Sequence, residues 1–165
     1  MGTPFIQVYN RFLGKITDDM YMELTPEDTM RDMRNLLIDA IPGFEFPRTN
    51  LMAYTLDTTS ENVLEDTSSF EAELSSEEVN ILAILMMINW VQRQVTSIEN
   101  TRMKFSGSDF KFTSQANHLS KLLNLLGETQ RQSHHMQRLY KRRRTNDEGR
   151  FESNWSILRD SSALD

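Results

Sequence analysis

The chain has 165 residues, no cysteine and a formal net charge of −6, a length that suits one domain with its own core. The missing thiols exclude disulfides, thiolate nucleophiles, Cys-based zinc sites and iron–sulfur clusters. Ten Met against six Gly and four Pro favour a mainly helical protein with an adaptable apolar surface.

Met1-Gly2-Thr3-Pro4 lacks a basic region followed by a long apolar stretch, so neither a secretory leader nor a Gly2-acylated anchor is expected. Residues 1–15 read as irregular, with β character around Phe5, Ile6, Val8 and Tyr9. A short turn of helix fits Thr17 to Leu24. A longer helix starts at Thr25, a good N-cap, with Pro26 at the first helical position and Glu27 and Asp28 in the first turn. Met30, Met33, Leu37 and Ala40/Ile41 recur at helical spacing until Pro42-Gly43 stops it. Residues 44–74 are predicted as a hairpin-like insertion. Phe44, Phe46, Leu51, Ala53 (or Tyr54) and Leu56, interrupted by Pro47, precede a polar, acidic loop at 57–69, and Phe70 and Leu74 form the return.

Ser75-x-x-Glu78 has capping-box spacing and opens the main helix. Its first half is apolar on nearly all sides, from Val79 through Ile81–Ile88 to Trp90, Val91 and Val95. The unbroken run ILAILMMI is eight residues, well short of the roughly 20 of a membrane span, so it predicts a core helix. Gly107 and Asp109 break the helix, and Thr113 or Ser114 caps the next. Leu119, Leu122, Leu123 and Leu126 are expected to pack back on the 79–98 helix as an αα-hairpin. Past Gly127 only Met136, Leu139 and Tyr140 are apolar, so this stretch is expected to project from the body or lie along a partner. Asn146-Asp147-Glu148-Gly149 is a turn signal, and Phe151, Trp155, Ile157 and Leu158 follow in a polar arm at 145–165. The expected organisation is one mainly α domain over 1–144, an antiparallel helical hairpin or bundle with a long C-terminal helix and an insertion at about 44–74, followed by that extended arm.

The charge is polarised. Residues 1–100 hold 6 Lys/Arg against 17 Asp/Glu, a balance of −11, whereas residues 101–165 hold 12 against 7, a balance of +5. The densest run is Lys141-Arg142-Arg143-Arg144, with Arg138 one turn before it. Three readings stay open: a solvated complement to a helix C-terminus, a phosphate contact without sequence readout, or a subunit contact with the acidic 57–78 region of another copy. In the last, Glu61, Glu65, Asp66, Glu71 and Glu73 form the acidic partner patch.

Signs of catalysis are missing. There is no GxGxxG, Walker loop, HExxH or GxSxG, and His134 and His135 point about 100° apart on a helix, far in sequence from His118. No catalytic, cofactor-binding or metal-ligating residue is expected, and the chain is read as a non-enzyme.

The stretch from SSEEVNILAILMMINW to SKLLNLL, followed by a polar helix ending QRLYKRRR, resembles head–tail connector (head completion or neck adaptor) proteins of tailed bacteriophages. The resemblance covers about residues 70–144 and rests on Glu77-Glu78, Trp90, Gln94, Glu99-Asn100, the SDF at 108–110, Ser114-Gln115-Ala116 and His118-Leu119. It implies a virion structural protein in a homo-oligomeric ring, often of twelve copies, between portal and tail, continuing the DNA channel at the neck after assembly in the host cytoplasm. The implied partners are further copies, the portal protein, a tail or second neck protein, and packaged DNA passing without sequence readout; no membrane is implied. Phe151, Trp155, Ile157, Leu158, Arg138 and Lys141 to Arg144 are the expected interface residues. The alternative is a DNA-binding packaging or regulatory protein of small-terminase type, using the 131–144 helix on phosphate.

Overall fold

A computed structural model describes residues 2–16, 24–57, 59, 65–104, 113–145 and 151–153. The architecture is mainly helical: α1 (Phe5–Leu13), α2 (Pro26–Ala40), a 3₁₀ turn (Ile41–Gly43), β1 (Tyr54–Thr55), β2 (Ser69–Phe70), α3 (Ser76–Lys104), α4 (Thr113–Arg142), β3 (Arg143–Thr145) and β4 (Phe151–Ser153). The Thr17–Leu24 turn and the 146–149 turn fall almost wholly outside the described residues.

α3 is the central element. Its 29 residues make a rod of about 43 Å. α1 and α2 pack mainly on its first half, and α4 runs antiparallel along its length. By length and composition alone, Ser76–Asn100 is apolar enough to cross a membrane. Here it is the core helix, with residues 81–86 all buried inside the protein. The antiparallel register is legible in two zones. Glu78 and Asn80 meet Tyr140 and Met136 near one end, and Val91 and Val95 pack with Leu119, Leu122 and Leu126 toward the other.

α2 forms as its sequence dictates. The Thr25 hydroxyl accepts the Asp28 amide at 3.1 Å, Pro26 occupies N1, and Met30, Met33, Leu36, Leu37 and Ala40 are buried. The capping box of α3 is also present. Glu78 accepts the Ser75 amide at 2.7 Å, and Ser75 Oγ accepts the Glu78 amide at 3.3 Å.

The β reading of residues 5–9 is wrong. Phe5, Val8, Tyr9 and Phe12 are fully buried on one face of α1, at i, i+3, i+4 and i+7. Helical periodicity decides the conformation over the β preference of aromatic and branched side chains. α1 begins after Pro4, whose missing amide costs a helix start nothing. Gly2, just before it, is wedged against β2: a Cβ there would lie 1.8 Å from the Phe70 carbonyl oxygen.

The hairpin insertion is present but small. Tyr54 pairs with Phe70 and Thr55 with Ser69, antiparallel, while the rest of 44–53 is turn and irregular chain. Leu123 lies off the expected apolar face at 46% exposure, since it projects about 100° from Leu122. The expectation that α4 leaves the body after Gly127 is also overturned. Thr129, Ser133, Gln137 and Tyr140 are buried, so polar side chains at i, i+4 and i+8 form the inward stripe.

Leu82→Ala, at the fully buried centre of α3, is expected to lower unfolding free energy by about 2–5 kcal/mol in urea titrations. Leu123→Ala on the exposed flank of α4 is expected to stay within about 0.5 kcal/mol of the parent.

Candidate functional site

The two long helices meet at a polar base where most of the sequence-predicted basic residues lie. Glu78, 4% exposed, uses Oε2 for the Ser75 amide and hydroxyl and Oε1 for the Tyr140 hydroxyl at 2.5 Å. Arg48 donates to the Tyr140 carbonyl at 2.8 Å and lies over its ring at 4.3 Å. Gln137, one turn earlier, accepts the Glu45 amide at 2.7 Å and donates to the Gly43 carbonyl and Ser133 hydroxyl. His134 lies 3.1 Å from a Glu45 carboxylate oxygen. Segment 43–48 is thus a belt across the last turns of α4.

The basic run is divided by this geometry. Lys141 is exposed yet sits 3.9 Å above the Phe46 ring, and Arg143 reaches Glu77 of its own α3 at 3.3 Å. Arg138 and Arg142 are exposed. Arg144 lies in β3, opposite Glu152 of β4, and Phe151 pairs with Thr145. Trp155, Ile157 and Leu158 fall outside the described residues. Part of the positive charge assigned to a neighbour's 57–78 region therefore meets the acidic start of α3 in the same chain.

The acidic residues divide as well. Glu61 is outside the described residues, and Glu65, Glu71 and Glu73 are exposed. Asp66 does not belong to a surface patch. Its side chain is fully buried, pairs with Arg34 at 3.1 Å, accepts the Ser68 amide at 2.9 Å and faces the Tyr9 hydroxyl at 3.4 Å. Asp57 ties the loop across itself by accepting from Thr59 and Thr67. Backbone and hydroxyl hydrogen bonds from Thr59, then those from Thr67, hold its carboxyl well below the usual carboxylate range.

Two clefts open on the described surface. One, about 520 Å³, lies between α2 and α3, where Arg93 grips Asp32 through two hydrogen bonds of 2.7 and 3.1 Å. The other, about 700 Å³, lies between the end of α1 and the start of α3 and contains Arg11 and Lys15. Burial first, and the Arg11 guanidinium second, lower the Lys15 ammonium from its ordinary value. Among the described residues, no group of three or more His, Asp or Glu side chains is placed to hold a metal ion.

Comparison with protein-family models, curated protein sequences and solved structures finds no match.

Sequence reasoning missed Gln137, Tyr140 and Arg48 as structural anchors, and Arg11 with Lys15 as a paired cationic feature. Tyr140 was visible as an apolar residue, but its partner Glu78 lies 62 positions away. Nothing local marks Gln137, whose partners come from the 43–45 turn.

Burial first, and then the Glu78 carboxylate, raise the Tyr140 hydroxyl well above the ordinary tyrosine value. The folded chain therefore holds this proton more tightly than the unfolded chain. The stability linked to it is complete below the unfolded value of about 10 and falls as pH rises beyond it. Urea midpoints measured between about pH 8 and pH 11 are expected to drop less steeply in Tyr140→Phe than in the parent, with Tyr9 contributing a residual slope in both.

Proposed function

We propose that the protein is a structural subunit of a tailed-phage neck, part of a homo-oligomeric ring of about twelve copies between portal and tail that continues the DNA channel. The observation that carries this reading is the α3–α4 hairpin. Its first half is covered by α1 and α2, while its far part has a thin core of Val91, Val95 and Leu119, with Leu123 and Leu125 exposed at 46% and 37%. A rod well covered at one end and thinly packed, with exposed leucines, at the other suits a subunit completed by neighbours. The base supports the reading too: Arg143 at the start of β3 pairs with Glu77, and β4 pairs with β3. An arm continuing from Ser153 would then start beside the base of the helix pair. In this reading the portal protein and a tail or second neck protein are the hetero-partners, and the chain acts in the virion after assembly in the host cytoplasm.

DNA binding of the small-terminase kind would rest on exposed Arg131, Arg138 and Arg142. With Lys141 over Phe46 and Arg143 on Glu77, the phosphate-facing charge is smaller than the run suggests. Duplex affinity should therefore fall only shallowly with salt, rather than with the steep slope of a protein neutralising many phosphates.

Electron microscopy of purified virions, with this chain located by a fused tag, is expected to place it at the portal–tail junction. Absence from the particle overturns the reading. Deletion of 154–165, which leaves the β3–β4 pairing intact, is expected to give a subunit with the parental thermal midpoint that no longer enters particles. Normal incorporation of that deletion removes the arm from the proposal.

A further inference from the structure

Two charge pairs of opposite sign flank α1, each without an ion-pair partner among the described residues. At the last turn of α1, Arg11 and Lys15 enter the 700 Å³ cleft beside Gln7, Asn10, Leu74 and Ser76. Gly14 keeps helical angles (φ −68°, ψ −9°), so Lys15 follows Arg11 at near-helical spacing, about 6 Å between their Cβ atoms. No carboxylate of the described residues pairs with either. Of the acidic residues that follow Ser76, Glu77 is engaged with Arg143 and Glu78 with Ser75 and Tyr140. Ser76 adds the positive end of the α3 dipole to the same wall.

At the other end of α1, Glu71 and Glu73 are exposed on either side of half-buried Ala72. Their backbone is pinned. The Glu71 amide donates to Ala53, the Thr3 amide donates to the Ala72 carbonyl at 3.1 Å, and the Leu74 amide donates to the Thr3 hydroxyl at 2.7 Å. Neither carboxylate has a cationic partner among the described residues.

We propose that the Arg11/Lys15 cleft receives the Glu71/Glu73 pair of a second copy of this chain. The sign and number of the two pairs match, and the patches differ, so the contact is heterologous and propagates head to tail. It rests on the ring reading above and specifies where one copy grips the next: at the two ends of α1, not at the C-terminal basic run.

The test is self-association by sedimentation velocity, on the full chain, with charge reversal. The parent is expected to associate, and less so as sodium chloride is added. Arg11→Glu/Lys15→Glu and Glu71→Lys/Glu73→Lys are each expected to weaken association by about tenfold or more, and an equimolar mixture of the two to restore it. Thermal melts check that each variant is folded, and Arg11→Gln/Lys15→Gln gives a milder variant with the same expected direction. Association unchanged by either reversal, or a parent monomeric to millimolar concentration, overturns this contact. The location of the chain in virions is a separate readout and survives that result. A short DNA duplex that perturbs the amide resonances of Asn10 and Ser76, with reversal leaving self-association intact, assigns the cleft to phosphate and also overturns it.

Discussion

Glu78 is a carboxylate one turn into a helix, only 4% exposed, and in that position each of its oxygens requires a donor. The Ser75 amide and hydroxyl satisfy one oxygen and thereby define where α3 begins. The Tyr140 hydroxyl satisfies the other and defines which residue of α4 lies beside that beginning. Because both helices are continuous rods of about 43–45 Å, registering one end registers the whole pair. A slip of one residue would rotate α4 by about 100°, leave Glu78 without its third donor and turn Leu119, Leu122 and Leu126 away from Val91 and Val95. The packing of α1 and α2 presupposes this register, since they cover the faces of α3 that α4 leaves free.

The second half of α4 is held by a different principle. Thr129, Ser133 and Gln137 face inward where an amphipathic helix would place Leu or Ile. Thr129 returns its hydroxyl to the Leu125 carbonyl, and Gln137 satisfies its amide through Glu45, Gly43 and Ser133. Such a stripe contributes less transfer free energy than an apolar one but discriminates more sharply. Any other loop against α4 would leave a buried amide unpaired, at a cost of about 1–3 kcal/mol. In the same belt a Cβ at Gly43 would come within 3.1 Å of Leu85 Cδ2, so a larger residue there requires that side chain to shift. Segment 43–48 therefore has one productive position, and the basic end of α4 is fixed to the body through it.

What could be read from the sequence was what neighbouring residues decide among themselves. The Thr25 cap, the Ser75–Glu78 box, the apolar faces of α2 and α3, and the 113–126 return all depend on spacings within one or two turns. α1 was legible in principle, because Phe5, Val8, Tyr9 and Phe12 have helical spacing; β-rich composition obscured a short pattern. The burial of α4 beyond Gly127 was not legible, because a search for apolar periodicity passes over Thr129, Ser133 and Gln137. Asp66 was counted as surface charge because Arg34, 32 positions away, and Tyr9, 57 positions away, converge on it only in the fold.

The same distinction applies to the charge asymmetry. A balance of −11 in the first 100 residues and +5 in the rest suggests two opposed surfaces. The fold engages many of these charges internally: Asp66 with Arg34 and Asp32 with Arg93 within the first hundred residues, and Glu77 with Arg143 across the two segments. A charge already paired in its own chain contributes little to recognition, because a second partner must first displace the existing one. Net charge by segment is therefore a poor guide to contact surfaces in this chain. What bears on recognition is the residue left over after internal pairing. Around α1, among the described residues, that remainder is two cations in a cleft and two carboxylates on a pinned segment, both within the half of the chain that the sum describes as simply acidic.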